Sequence, residues 1–351
     1  MQTDDTLLLA DSKFALREQQ EIENAGIISK PREVLTRQQP LKFNGGLISE
    51  SAQGVTLSQE RTCALIRTVQ DHNADTTSSR GKIRKDVTPA EQYVAQRALG
   101  AYVASMCQPE ASFDLSYAAQ AMNPTKDDIK ALNKRLKWQR DNASRGLRFV
   151  PLDTNSLRLI CFADSSFANN KDLTSQIGFI IVLADAANNA NIIHWSSIKC
   201  KRVTRSVLAS ELYAMTHAFD AAAAIKSTIT ELLHLPEPLP LTICTDSKSL
   251  YECLVKLSTT QEKRLMIDLM CLRQSYERHE IAEIKWISGD TNPADAMTKS
   301  KPCRALEELI NTNKLHIEVS AWVERSAVPP TVRTPKHKNV AFAAPISTTI
   351  D

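Results

Sequence analysis

Four acidic residues in the second half of the chain have the types and spacing of a metal site. Asp164, Glu211, Asp246 and Asp295 follow one another at intervals of 47, 35 and 49 residues. Asp164 and Asp246 each come directly after an apolar run typical of a β-strand. Ligands of open α/β sheets bind beyond the carboxyl ends of strands. Two such strands lying side by side would therefore bring Asp164 and Asp246 together.

Glu211 occupies an unusual position for a carboxylate. In a helix, residues 207, 211, 214 and 218 lie on one face, which adjoins an apolar row. That row consists of Leu208, Leu212, Met215 and Phe219. Glu211 thus falls within the face expected to pack on a sheet, and a buried carboxylate without a partner is destabilising. A bound metal ion would supply that partner.

Each of the four acids also has an ordinary structural explanation. Asp164 is compatible with a turn-initiating aspartate, and Glu211 with an edge position that reaches water. Asp246 is compatible with a helix N-cap. Asp295 follows the helix start Asn292-Pro293 and is compatible with a residue that complements the helix dipole.

Taken together, the four carboxylates favour a hard divalent cation. The set contains no cysteine or histidine, which suits Mg²⁺ or Mn²⁺ rather than zinc. Two such ions about 4 Å apart drive in-line phosphodiester hydrolysis, in which one activates water and the other stabilises the leaving oxygen. Phosphodiester hydrolysis is therefore a chemistry that this set of carboxylates could support.

The pattern from residue 151 onward predicts a mixed α/β domain that positions these acids. Three strands are predicted at 157–163, 177–183 and 192–196, then a long helix at 207–233. There follow a strand at 241–245, helices at 247–257 and 262–278, a strand at 281–287 and a largely helical segment at 293–311.

Five segments carry a resemblance to a known family. They are FADSSFA, HWSSIK, ASELYAM, CTDSKSL and WISGDTNPADAMTK. Over about residues 155–310 the chain resembles the ribonuclease H (RNase H) domain of copia-type LTR retrotransposon Pol polyproteins. The resemblance implies an RNase H-like mixed five-stranded sheet with flanking helices. It also implies cleavage of the RNA strand of an RNA–DNA hybrid, with Asp164, Glu211, Asp246 and Asp295 as the ligands of two Mg²⁺ or Mn²⁺ ions.

Two comparisons refine this resemblance. In an integrase-like relative the glutamate would follow both aspartates, so that class is disfavoured. Cellular RNases H often carry a histidine just before the last aspartate, whereas residues 288–292 contain none. His279 lies 16 residues before Asp295, at a predicted helix end, and is expected at the surface. Product release is therefore expected to be slow or to be handled by other groups.

Two basic segments are candidates for contacts to nucleic-acid phosphates. The first lies between the third strand and the Glu211 helix and contains Lys199, Lys201, Arg202 and Arg205. The second is a helix that includes Lys130, Lys134 and Lys137, within residues 126–148, which carry eight Lys/Arg against three Asp. A solvated surface explains either segment equally well.

The first half resembles the end of reverse transcriptase in the same polyproteins. The segment QTDDTLLLAD resembles the palm hairpin whose two aspartates bind metal, here Asp4 and Asp5, and LKFNGGLIS resembles the next hairpin. Residues 90–122 and the basic helix resemble the thumb and connection. The upstream palm strand and the fingers have no counterpart here, so Asp4 and Asp5 are expected to be vestigial and no polymerase activity is expected. An upstream reverse-transcriptase portion or other element proteins are possible partners.

Local patterns predict the elements and divisions of this half. A helix is predicted at 14–24, a strand and tight turn at 42–48, and a polar loop at 70–86. A helix is predicted from the capping box at Thr88 to about residue 106, and another from Thr125 to about residue 140. The predicted regions are a truncated palm end (1–70), a helical thumb/connection-like region (71–150), the RNase H-like domain (151–325) and a disordered tail (326–351).

Composition limits the remaining classes of protein. The 351 residues carry a net charge of +3, and none of the eight cysteines forms a C-x-x-C pair, which favours a reduced intracellular protein. A membrane partner is not expected, because no run of 18 or more apolar residues occurs. The expected compartment is the cytoplasm, in a virus-like particle, or the nucleus.

Three functional hypotheses remain open. The first is a metal-dependent RNA–DNA hybrid ribonuclease joined to an incomplete reverse transcriptase. The second is a catalytically inactive transposon remnant that at most binds nucleic acid. The third is an RNase H-like structural module of a larger complex.

Overall fold

The three-dimensional structure is a computed structural model. It describes residues 6–77, 83–256, 260 and 262–322. Asp4, Asp5 and the tail predicted to be disordered at 326–351 lie outside the described residues.

The first half begins with a helix and a small antiparallel sheet. The helix is α1 (Ser12–Asn24), which contributes no buried residue. The strands are β1 (Leu41–Phe43), β2 (Gly46–Ser51), β3 (Gly54–Ser58) and β6 (Leu147–Phe149), in the order β1-β2-β3-β6. Asn44 and Gly45 have positive φ angles of 48° and 76°, as a tight hairpin turn requires. The strand and turn predicted at 42–48 are thus confirmed.

A helical unit lies between β3 and β6. Its helices are α2 (Glu60–Cys63), α3 (Pro89–Met106), α4 (Ser112–Ala118) and α5 (Lys126–Asp141). The capping box predicted at Thr88 is present, with Glu91, and the structure shows a second one at Thr125 with Asp128. Buried apolar side chains, among them Tyr93, Val103 and Leu136, join these helices into one core.

One prediction for this region is wrong. Residues 70–86 were expected to form a polar loop, but they include an antiparallel ribbon of β4 (Ala74–Thr77) and β5 (Ile83–Val87). Val87 is the only buried residue of β5, so this strand lacks the apolar alternation by which strands are detected.

The second half is built on a six-stranded mixed sheet. Its strands are β7 (Arg158–Ser166), β8 (Gln176–Ala184), β9 (Ala190–Lys199), β10 (Leu241–Thr245), β11 (Glu283–Ile287) and β12 (Val319–Ala321). Their order is β12-β11-β10-β7-β8-β9. Strand β8 runs antiparallel to both β7 and β9, whereas β10 runs parallel to β7 and β11 parallel to β10.

Helices cover both faces of this sheet. They are α6 (Val207–Leu232), α7 (Lys248–Val255), α8 (Met266–Glu277) and α9 (Arg304–Thr312). In β7, Cys161 and Ala163 face the core formed with α6, α7 and α8, whereas Ile160 and Phe162 face the core that includes α9. Burial on both faces explains the continuous apolar run of this strand.

The mixed α/β class predicted from the sequence is confirmed, and the RNase H-like sheet has one more strand than expected. The short β12 pairs antiparallel with β11 beyond the five predicted strands. The segment 293–311 was expected to be largely helical. Instead a 3₁₀ helix, Pro293–Met297, is separated from α9 by an irregular stretch that includes Pro302.

An asparagine-centred cluster, formed by Arg148, Asn191 and Asn313, joins the two halves. The Asn313 amide nitrogen donates to the carbonyl oxygens of Arg148 (2.8 Å) and Ala190 (3.0 Å). The Arg148 guanidinium donates to Asn313 Oδ1 at 3.0 Å, and Asn191 Oδ1 accepts from the Val150 N–H at 2.9 Å.

Among the described residues, no helix is long and apolar enough to cross a membrane.

Candidate active site

Asp164 lies within the central strand β7 and its side chain is buried, with 2% exposure. Its Oδ2 accepts a hydrogen bond from Thr298 Oγ1 and lies 3.6 Å from Lys299 Nζ. Opposite Asp164 on β8 is Gly178, where an added Cβ would stand 2.3 Å from Met297 Cβ. The glycine thus allows the 3₁₀ helix to pack closely on the strand beside Asp164.

Asp246 comes directly after β10, the parallel neighbour of β7. Cys244 pairs with Phe162 across these strands, so Asp246 and Asp164 stand level at the carboxyl end of the sheet. The N-cap explanation of Asp246 is wrong, because Ser247 caps α7 by accepting from the Leu250 N–H. The Asp246 carbonyl accepts from the Trp286 indole at 3.2 Å.

Asp295 belongs to the 3₁₀ helix Pro293–Met297. Asn292 caps this helix by accepting from the Ala294 N–H at 3.1 Å, and its Nδ2 donates to the Ala163 carbonyl at 3.2 Å. The cap therefore attaches the helix directly to β7. The Asp295 Oδ1 accepts from Lys299 Nζ at 2.7 Å.

The structure brings three of the four predicted ligands together. One carboxylate oxygen from each of Asp164, Asp246 and Asp295 lies within 4.8 Å of the others. Glu211 is outside this group of three. It lies on α6 and is 5% exposed, so the explanation in which it reaches water is wrong.

Glu211 has one satisfied and one unsatisfied oxygen. Ser165, the neighbour of Asp164 on β7, donates to Glu211 Oε1 at 2.7 Å. Oε2 is buried and makes no hydrogen bond to any described residue. A buried acceptor without a donor is destabilising, and it matches the donor set that a hard cation requires.

The electrostatics of the cluster show an excess of negative charge. Burial, followed by the charge of Asp295, raises the pKa of Asp164 from 3.8 to about 7. Burial and the same neighbour raise the pKa of Asp246, and burial with Asp164 raises the pKa of Glu211 well above its ordinary value. Each carboxylate thus opposes ionisation of the others, and a divalent cation would offset this repulsion.

Lys299 partly offsets the negative charge of the clustered carboxylates. Burial acts to lower its pKa, but the charges of Asp164 and Asp295 outweigh that effect and raise it. Thr298 and Lys299 were not among the residues predicted to form the site, although they close the quoted segment NPADAMTK. The spacing of Lys299, four residues after Asp295, is the signal by which the ion pair is detectable in the sequence.

The basic loop before α6 is only partly available for phosphates. Lys199 forms an ion pair with Asp172, and Arg202 pairs with Asp268 at 3.1 Å while its guanidinium lies 5.0 Å from the Tyr213 ring centre. Lys201 and Arg205 are exposed and form no ion pair with any described residue.

The second predicted basic segment is the outer face of α5. Lys130, Lys134 and Lys137 are exposed there, and none of them pairs with an acid among the described residues. Leu132 and Leu136, on the opposite face, pack into the helical core.

Two curated proteins are similar in sequence. One is the retrovirus-related Pol polyprotein from transposon RE1 of Arabidopsis thaliana, 27% identical over 195 residues. The chain is similar to a small part of this Pol polyprotein. The match covers 55% of this chain but only 13% of the polyprotein, and the RE2 polyprotein of the same plant matches at 27% over 193 residues. No protein-family model matches the chain, and the resemblance to copia-type elements stays a prediction.

Solved structures of RNases H are similar to part of the chain. LC11-RNase H1, isolated from compost, covers 44% of the chain and 96% of its own length, with 16% identity and a TM-score of 0.31. RNase H1 of Halobacterium salinarum covers 43% and 98%, with 18% identity and a TM-score of 0.30. These values are low, so the fold is assigned from the strand order and the helices described above.

Proposed function

We propose that this chain is a metal-dependent nuclease of the RNase H type, which hydrolyses the RNA strand of an RNA–DNA hybrid. The observation that carries the proposal is the convergence of Asp164, Asp246 and Asp295 within 4.8 Å at the carboxyl end of a mixed sheet. Homology to Pol polyproteins supports the same function, because such polyproteins belong to elements related to retroviruses.

The residues present fit a hard divalent cation. Asp164, Asp246 and Asp295 offer only oxygen ligands, and the unsatisfied Oε2 of Glu211 offers a further one. Mg²⁺ or Mn²⁺ bound there would supply Lewis-acid stabilisation of a phosphoryl group and would activate water. The two-ion arrangement is part of the proposal.

The protein's own residues act by holding these ligands in place. Ser165 fixes the orientation of Glu211, and Asn292 attaches the Asp295 helix to β7. Thr298 donates to Asp164 and leaves its other oxygen free to bind an ion. Such hydrogen bonds to ligands commonly contribute strongly to metal affinity.

The decisive experiment measures cleavage of a labelled RNA–DNA hybrid with Mg²⁺. We expect Asp164→Asn and Glu211→Gln to lower the rate by at least about 100-fold, since each removes a negatively charged ligand. Asp290→Asn is the matched control, because Asp290 is an exposed acid of the same loop as Asp295. We expect cleavage by the control and none in EDTA.

The outcomes separate the hypotheses. Equal cleavage by the wild type, Asp164→Asn and Glu211→Gln would exclude this site. No cleavage by any of them, with retained binding of the hybrid, would favour an inactive remnant. The expected absence of DNA polymerase activity stays a prediction, and primer extension by the purified protein would contradict it.

A further inference from the structure

The segment 298–301 connects the candidate active site to the helical unit. Its first two residues contact the clustered carboxylates, since Thr298 donates to Asp164 and Lys299 to Asp295. The next residue, Ser300, turns away from the site. Its hydroxyl donates to Asp114 Oδ1 of α4 at 2.8 Å.

Asp114 is itself held rigidly. Its Oδ2 accepts from Arg135 Nε of α5 at 2.5 Å and also from Arg135 Nη2. The side chains of Asp114 and Arg135 are only 21% and 19% exposed. The Arg135 guanidinium lies 5.0 Å from the ring centre of Trp138 on the same helix. Partial burial and two donors on one oxygen make this a well-ordered charge-assisted pair.

A second connection from α4 reaches the same segment through the sheet. The buried Gln176 of β8 donates from Nε2 to Ser116 of α4 and to Ser197 of β9, both at 3.0 Å. Ser197 in turn donates to the Met297 carbonyl at 2.5 Å. Helix α4 is therefore connected to this part of the chain twice, at Ser300 through Asp114 and at Met297 through Gln176 and Ser197.

We propose that Asp114 is a positioning residue for the candidate metal site, acting through Ser300. It holds the segment 298–301 so that Thr298 and Lys299 fix the carboxylates of Asp164 and Asp295 in the orientation that binds the ion. The helical unit would then help to position the metal ligands as well as pack beside the sheet. This inference rests on the proposed function.

Variants of Ser300 test the connection without disturbing the Asp114–Arg135 pair. We expect Ser300→Ala to raise the dissociation constant of the intact protein for Mn²⁺, measured by titration calorimetry, by about 3- to 10-fold. Asp114→Ala is expected to act in the same direction. Ser300→Thr retains the hydroxyl and is expected to restore wild-type affinity, which a purely structural role would not require.

Asn311→Ala is the matched control. It removes another hydrogen bond between the halves, the one that Arg145 donates to Asn311 Oδ1 at 3.1 Å, without touching the segment 298–301. We expect its Mn²⁺ affinity to stay within about twofold of the wild type. Thermal unfolding of each variant shows that the comparison is made on folded protein.

The inference is overturned if Ser300→Ala and Asp114→Ala bind Mn²⁺ as the control does, or more tightly. It is also overturned, together with the proposed function, if the wild type binds no Mn²⁺. If the wild type binds Mn²⁺ and the variants weaken it, but the hybrid is not cleaved, the positioning role stands and the proposed function fails.

Discussion

Asp164 is buried beside two half-buried aspartates and the half-buried ammonium group of Lys299. Its neighbours have opposite effects, because Asp295 and Asp246 raise its pKa while Lys299 lowers it. Burial dominates, so the native state favours the protonated acid. The free energy of the metal-free protein is therefore expected to depend on pH through this residue.

The first prediction concerns that dependence. The pKa of Asp164 rises from 3.8 when exposed to about 7 in the fold. The native state therefore holds a proton that the unfolded state has lost, and the free energy of unfolding falls as pH rises from about 4 to 7. We expect Asp164→Asn to stabilise the metal-free protein at pH 8 by about 1–3 kcal/mol, and little at pH 4.

Urea unfolding across this pH range measures the effect. Asp185→Asn serves as the control, because Asp185 is equally buried but hydrogen bonds from Asn189 outweigh burial and lower its pKa. That variant is expected to lose stability above pH 4. Parallel pH profiles for the wild type and Asp164→Asn would contradict the prediction.

The second prediction concerns Lys299, which supplies the only cation seen to pair with Asp164 among the described residues. We expect Lys299→Met to destabilise the metal-free protein at pH 8 by about 1 kcal/mol, a small value because the lysine is 39% exposed. Added Mg²⁺ is expected to stabilise this variant more than the wild type. Lys301→Met, an exposed neighbour, is the control, and equal responses to Mg²⁺ would contradict the expectation.

At the scale of elements, the packing of a 3₁₀ helix on β8 decides where Asp295 lies. An added Cβ at Gly178 would approach Met297 Cβ to 2.3 Å. Backbone must therefore shift if any side chain is introduced there. The close approach explains why a glycine occupies the middle of an otherwise apolar strand.

The third prediction follows from this contact. We expect Gly178→Ala to lower the free energy of unfolding by about 2 kcal/mol and to reduce the stabilisation by Mg²⁺, since the Asp295 helix is displaced. Gly26→Ala is the control, because nothing lies within 4 Å of its added Cβ and only its φ of 66° opposes the change. An unchanged Mg²⁺ effect in Gly178→Ala would show that Asp295 had not moved. Chemical unfolding with and without Mg²⁺ measures both quantities.

The sequence predicted helices and strands well where burial makes apolar residues recur at regular intervals. The helix predicted at 207–233 and the strand at 241–245 match α6 and β10 closely, because long apolar patterns dominate local propensity. The ribbon of β4 and β5 was missed because four of the five residues of β5 are exposed. The contact between Ser300 and Asp114 was not predictable, since it joins residues 186 positions apart through tertiary packing alone.

At the scale of the whole molecule, basic residues divide into paired and unpaired groups. Lys199 and Arg202 are engaged by Asp172 and Asp268, whereas the α5 lysines pair with no described acid. A side chain already engaged by a carboxylate must exchange that partner for a phosphate. Exposed lysines have no such requirement, so they are expected to contribute more to binding of nucleic acid.

The fourth prediction tests this division. We expect the triple variant Lys130→Gln, Lys134→Gln and Lys137→Gln to weaken binding of a fluorescent RNA–DNA hybrid without metal. The slope of the logarithm of the binding constant against the logarithm of salt concentration is expected to become less negative by about two. The double variant Lys199→Gln and Arg202→Gln is expected to change the slope less. A larger change of slope in the double variant would place the hybrid on the basic loop before α6 instead. Fluorescence anisotropy from low to high salt measures the slope for both variants.

The asparagine-centred cluster has a consequence for how the protein folds. Asn313 bonds to the backbone of Arg148 and Ala190, which precede it by 165 and 123 residues. Contacts so distant along the chain close slowly, and a growing chain completes its earlier parts first. Strand β6 is therefore synthesised long before the amide that fixes it to the second half. The asparagine-centred cluster can form only after α9 has been synthesised, so its formation is a late step of folding on the ribosome.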